Sequence, residues 1–204
     1  MSRRNNTKEM ILDVALNMFS KKGYSGVSIR DICKEVGIKE SSAYNHFKSK
    51  QEIFQTLCHH FTFVTNEMAL SYYKRMAEST AVTESEFLSS CKSYVNDYLM
   101  EDSVNQFIRM LLIEQSTNEE AARIYHDVLF DKALEGQKQL LAWMMNIGFL
   151  KEMDLNEMVM AYYAPIVYWF QRYLVTGTIT QDMKNNINQK LTNHVKQFLM
   201  KYRK

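Results

Sequence analysis

A chain of 204 residues with 46% apolar content can fold as one ordinary domain or as a small domain joined to a larger one. One proline and six glycines exclude a Gly/Pro-rich disordered chain and argue against a β-sandwich. The formal net charge of +2 hides an asymmetry, because residues 1–50 carry ten Lys/Arg against five Asp/Glu and the remainder fifteen against eighteen; a basic head suits a surface that meets phosphates, the plainer reading being a solvated face.

In chain order, Arg3, Arg4 and Lys8 form a basic arm, reaching for DNA or simply solvated. A first helix follows over about 7–21, with Ile11, Val14, Ala15, Met18 and Phe19 on one face. Gly23 is suited to the left-handed turn that closes it. Ser28 stands as an N-cap with Asp31 as its capping-box partner, and Ile29, Ile32, Cys33 and Val36 give the next helix one buried face. Gly37 ends that helix. About eight residues, 39–46, form another short helix, and Ser49 with Glu52 opens a fourth that runs to near Glu78.

Thr83 and Glu86 predict a capping box for a helix through Leu99, and Ser103 with Gln106 another through Gln115. Asn118 caps a long helix over 119–146, closed by Gly148. Asp154 with Glu157 opens a helix to Val175, and Thr180 a last one to Tyr202. The expectation is an all-α fold of about nine helices, divided as a helix-turn-helix domain over 1–48 and a helical body over 49–204. The longest apolar run, residues 158–170, falls short of the roughly 18 residues that suggest a membrane span, and residues 1–20 hold no secretory core. Cys33, Cys58 and Cys91 are an odd set without a CxxC pair and read as small core side chains in a reducing, cytoplasmic setting.

Two short helices across a Gly-containing turn have the form of a helix-turn-helix, whose second helix enters the major groove. On that second helix Glu40, Ser41 and Asn45 are the exposed polar positions. Glu40 can accept from a cytosine amino group, Asn45 can pair with adenine, and Arg30 can reach guanine or a phosphate. Lys39 and Lys48 add cations beside the short helix and the start of the fourth.

Gly23-Tyr24, Val27-Ser28, Asp31-Ile32, Val36-Gly37-Ile38 and the tail Tyr44-Asn45-His46-Phe47-Lys48-Ser49-Lys50 resemble the N-terminal domain of the tetracycline-repressor (TetR) family. Lys39 and Ala43 depart from the usual pattern, where a Ser or Thr cap and a larger aliphatic are common. The resemblance implies an all-helical homodimeric regulator that binds a double-stranded DNA operator, with a C-terminal domain for a small effector and for dimerisation. It implies base or adjoining backbone contacts at Arg30, Glu40, Ser41, Tyr44 and Asn45, and phosphate contacts at Ser28, Ser42, Tyr44, His46 and Lys50.

The body is rich in aromatic and Met side chains at inward helical positions. Phe61, Tyr72, Tyr94, Tyr98, Phe107, Met110, Tyr125, Trp143 and Tyr163 are effector-pocket candidates with Glu114 as a polar anchor, and plain core is the alternative. Ile187, Leu191, Val195 and Phe198 form a stripe on the last helix. Together with Tyr168 and Arg172 on the apolar helix before it, they are the expected dimer interface. No GxSxG, P-loop or HExxH motif occurs, and the adjacent His59 and His60 point about 100° apart, so neither an enzyme nor a metal or cofactor site is expected. The competing class is a helical scaffold or regulator that acts through protein partners.

Overall fold

The computed structural model describes residues 3–175 and 177–204, the side chains of 3–5, 69, 70, 72, 73, 75–77 and 174 excepted. Among the described residues the expected helices appear in order: α1 (Arg3–Lys22), α2 (Ile29–Val36), α3 (Glu40–Tyr44), α4 (Lys50–Glu78), α5 (Glu84–Ser93), α6 (Asp102–Glu114), α7 (Glu119–His126), α8 (Lys132–Asn146), α9 (Leu155–Trp169) and α10 (Gln181–Tyr202). Three π-helical turns extend them. Tyr94–Leu99 continues α5, Asp127–Asp131 joins α7 to α8 as the single long helix expected, and Phe170–Leu174 continues α9. No strand forms among the described residues beyond one antiparallel bridge between Leu150 and Arg203.

The boundaries follow the local chemistry. Ser28 accepts from the Asp31 N–H while Asp31 accepts from the Ser28 N–H, and Thr83 and Glu86 repeat that exchange. Asn118, Asp154 and Thr180 each cap the helix that follows. Gly23, Gly37 and Gly148 all take the left-handed conformation. Two starts differ from expectation. The α6 cap is Glu101, whose carboxylate accepts from the Val104 N–H and the Ser103 hydroxyl, because a carboxylate satisfies two donors where a hydroxyl satisfies one. Helix α1 already includes Arg3 and Arg4, so the basic arm is its first turn and not a tail ahead of it.

The chain divides into two compact units, one made of the residues up to Val64 with Gln106–Tyr125 and the other of Thr65–Asn105 with His126–Lys204. In the first, α1 packs on α2 and α2 on α3. Its core holds Ile11, Phe19, Ile32, Phe47, Phe54 and Leu57, and Phe61 stacks on Phe107 at 4.5 Å between ring centroids. In the second, α10 packs on α5 and α9, and α9 on α8. Phe198 meets Phe87, Tyr162 and Tyr202, and the Asn96 and Asn188 carboxamides exchange hydrogen bonds at 2.9 and 2.8 Å. Helix α9 stays helical on both sides of Pro165.

The apolar stripe of α10 is where the expectation fails. Ile187, Leu191, Val195 and Phe198 are all buried within the single chain, Leu191 completely. Their own subunit covers them, so they are not free to form a seam with a partner. Of the expected interface residues, Tyr168 and Arg172 are exposed.

Candidate nucleic-acid interface and ligand cavity

Helix α3 is short and amphipathic. Ala43 and the following Phe47 are buried and anchor it, while Glu40, Ser41, Tyr44 and Asn45 face out and Ser42 is half-buried. Tyr44 is 51% exposed despite its size, as expected of a side chain that projects from this surface. Lys39 takes the extended N-cap conformation of α3 with no side-chain hydrogen bond to cap it. A lysine has no acceptor for the first amides of the helix, and its cation is left on the same surface. Arg30 is exposed in the first turn of α2.

The flanking positions have mixed fates. Ser28 is exposed, but its hydroxyl already serves the capping box, donating to Asp31 Oδ2 at 2.6 Å; these bonds hold the Asp31 carboxyl below its ordinary pKa. His46 is half-buried and Lys48 exposed, its N–H donating to Glu52 at 2.5 Å at the start of α4. Lys50 is not a free phosphate donor. Its ammonium donates to the Tyr24 and Val27 carbonyls, both at 2.7 Å, and lies 4.0 Å from the Tyr24 ring centroid. Burial lowers its pKa, and the Glu114 carboxylate opposes that shift. Lys50 therefore locks the loop between α1 and α2.

Glu114 belongs to the same lock. It is buried and accepts from the Tyr24 N–H at 2.7 Å, and burial with this nearby carboxylate raises the Tyr24 pKa. Its Oε1 lies 2.7 Å from where a Cβ on Gly23 would stand. Gly23 is thus required twice, by its φ of 74° and by the carboxylate against its Cα.

The second unit contains a cavity of about 700 Å³ between α4, α5, α8, α9 and the first two π turns. Two of the pocket candidates, Tyr94 and Tyr98, line it. Among the described side chains, the other pocket candidates do not. Phe61, Phe107, Met110, Glu114 and Tyr125 are buried in the first unit, where they fill its core and the Tyr24 lock. Tyr163 lies behind Tyr94 and Trp143 is outside the lining, while the Tyr72 side chain lies outside the described residues. Thr65, Asn66, Cys91 and Gln137 line the wall unforeseen, beside Tyr162, one of the inward aromatic positions of the sequence. The aromatic signal at Tyr162 was readable, but a lone Gln or Asn on a long helix reads as a solvated face.

The cavity hydroxyls are neutral. Tyr98 Oη pairs with Thr65 Oγ1 at 2.8 Å, and Tyr162 Oη with Cys91 Sγ at 3.0 Å. Burial raises the pKa of Tyr94, Tyr98 and Tyr163, and pushes the Cys91 thiol up to about 12 against the opposing Tyr162 bond. Among the described residues no group of His, Cys, Asp or Glu is placed to hold a metal, and no helix is long and apolar enough to cross a membrane.

Known proteins agree with this arrangement. The family model for bacterial regulatory proteins of the tetR family matches residues 11–57. The negative regulator of the biofilm operon icaADBC, IcaR of Staphylococcus aureus (strain Newman), is 29% identical over 154 residues, or 71% of this chain and 83% of that protein. A TetR-family transcriptional regulator from Mesorhizobium loti MAFF303099 superposes with a TM-score of 0.74 at 18% identity over the whole of both chains. Another from Pseudomonas syringae pv. tomato DC3000 gives 0.62 at 18% identity, covering 100% and 99%. With its double-capped helix-turn-helix and its all-helical body, the chain has the fold of these TetR-family regulators, and its residues 11–57 match the tetR family model.

Proposed function

We propose that the protein is a repressor that binds a near-palindromic operator as a homodimer and releases it when a small apolar or aromatic molecule fills the cavity of the second unit. The observation that carries this reading is the outward face of α3. Glu40, Ser41, Tyr44 and Asn45 stand free on a helix held rigidly from behind by Ala43 and Phe47, which is what base readout requires. Glu40 and Asn45 read cytosine and adenine edges, while Lys39, Ser42, His46 and Lys48 supply donors for the backbone. The relative in Staphylococcus aureus is a negative regulator, which favours repression here.

The dimer is best supported on the outer face of α9. Met160, Ala164 and Tyr168 recur every four residues and all are exposed, on a helix whose opposite side buries Met158, Val159, Tyr162, Tyr163 and Ile166. Helix α4 carries Ser49's neighbour Lys50 at one end and the cavity residues Thr65, Asn66 and Met68 further along. A ligand that displaces that stretch by an ångström or two shifts the operator-reading end of the same helix.

The deciding experiment selects duplexes from a random pool with the full-length protein, then titrates the enriched operator with and without cavity binders found by thermal shift. A near-palindrome with half-sites about one helical turn apart is expected, and by linkage operator and ligand weaken each other by the same factor. No enriched duplex would overturn the DNA reading. Binders that leave operator affinity unchanged would overturn the release mechanism.

A further inference from the structure

The wall of the cavity has a polarity that specifies its ligand. Most of its hydroxyls already have partners, Tyr98 with Thr65 and Tyr162 with Cys91. Tyr94 is different. Tyr163 Oη donates to the Leu129 carbonyl at 3.1 Å, which leaves its oxygen to accept from the Tyr94 O–H at 3.3 Å. The Tyr94 oxygen thus keeps its lone pairs for another donor. Gln137, on α8, lines the same cavity, and its Oε1 is closed to solvent without a hydrogen-bond partner. Both groups are acceptors. A buried acceptor left unmet costs more than an ordinary hydrogen bond gains, so a ligand that donates here is strongly preferred to one that cannot.

Charge at the mouth points the same way. Asp131 and Glu135 are exposed carboxylates of the lining. Among the described lining residues the one cation is Lys132, whose ammonium lies 3.9 Å from the Asp127 carboxylate outside the lining. An approaching anion meets net negative charge, and an approaching cation is attracted. Beside Asn66 and Ser90, the rest of the described wall, with Met68, Val128, Leu140 and the tyrosine rings, is mainly apolar and suits a hydrocarbon or aromatic body and the cation–π approach of an ammonium.

We propose that this cavity takes an apolar amine, whose N–H groups donate to Gln137 Oε1 and the Tyr94 oxygen, and that it rejects a carboxylate of the same size. The inference rests on the reading of this cavity as the effector site, and it adds the chemical class of the effector. Gln137 is the specificity-determining residue. It belongs to the second unit and is not among the residues proposed to contact DNA, so its replacement changes ligand choice without removing a DNA contact.

The test uses the full-length protein and three probes of one shape, 4-phenylbutylamine, 4-phenylbutanol and 4-phenylbutyrate, by calorimetry and thermal shift. The amine should bind at least about tenfold more tightly than the carboxylate, with the alcohol between them. Gln137→Leu should weaken the amine about three- to tenfold and narrow its lead over the carboxylate. Gln137→Glu, which can only accept when ionised, should widen that lead. Equal or tighter binding of the carboxylate, an amine affinity indifferent to Gln137→Leu, a lead that narrows in Gln137→Glu, or failure of all three probes to bind would each overturn the proposal. Operator titration is a separate readout. Amine binding that depends on Gln137 yet leaves the operator bound supports this chemistry and overturns the release reading instead.

Discussion

Gly23 and Gly37 share a left-handed backbone, with φ of 74° and 78°, but a Cβ would meet neighbours only at Gly23. Gly37→Ala should therefore cost only the conformational penalty, about 1 kcal/mol, while Gly23→Ala must also displace the Glu114 carboxylate and should cost at least about 2 kcal/mol more. Urea unfolding of the two variants reads the difference directly; equal costs would remove Glu114 from its assigned place. Lys48 and Lys50 form a second contrast. Lys48→Met removes an exposed cation and should flatten the salt dependence of operator binding by about one unit of slope per half-site. Lys50→Met should weaken binding with the slope nearly unchanged, because that ammonium is spent on the Tyr24 and Val27 carbonyls. The Ser28–Asp31 box was legible in the sequence because both partners lie within one turn. The fate of Lys50 was not, because its acceptors lie 26 and 23 residues away and are backbone atoms that carry no side-chain signature.

An apolar stripe announces that something covers it, not which chain does so. The α10 stripe was legible as buried, but its cover proved to be the subunit's own α5 and α9. Leu191→Glu should therefore unfold the second unit by burying an unpaired charge. Ala164→Arg, on the exposed face of α9, should leave the fold intact and separate the dimer, with loss of operator affinity. Light scattering with thermal melting distinguishes the two, and a monomeric Leu191→Glu variant with a normal melt would reverse the assignment. The π turns escaped the sequence for a related reason. Each inserts a wider turn into an otherwise regular period, and the apolar pattern on either side still reads as helix. The first two supply Tyr94, Tyr98, Val128 and Asp131 to the cavity, so the irregular backbone and the cavity lining coincide. The aromatic content of Phe61 and Phe107 looked the same in sequence, yet those rings stack on each other in the core of the first unit.

At the scale of the whole chain, the basic head of residues 1–50 sets the response to salt. With about three to five phosphates engaged per half-site, log K for the operator should fall against log[salt] with a slope of roughly −5 to −9. A flat response would contradict the phosphate grip. Stability should depend on pH on the alkaline side. Burial pushes the Cys58 and Cys91 thiols from the ordinary 9.0 up to about 12. The unfolded chain releases these protons first, so their contribution is intact below pH 9 and lost as pH rises towards 12, by about 1.4 kcal/mol per pH unit for each thiol. Urea midpoints between pH 8 and 11 measure this, and Cys91→Ala should reduce the slope. The division of the chain has a further consequence. The polypeptide leaves the first unit within α4, returns to it within α6 and leaves again at the end of α7. The DNA-reading half is consequently not a portable module. A gene fragment ending at residue 64 would encode every operator contact proposed above yet omit Phe107, Ile108, Met110 and Leu111 from its core and Glu114 from its loop. Such a fragment is expected to melt without cooperativity, and swapping heads between relatives by a single crossover would strand half of a core on each side of the join.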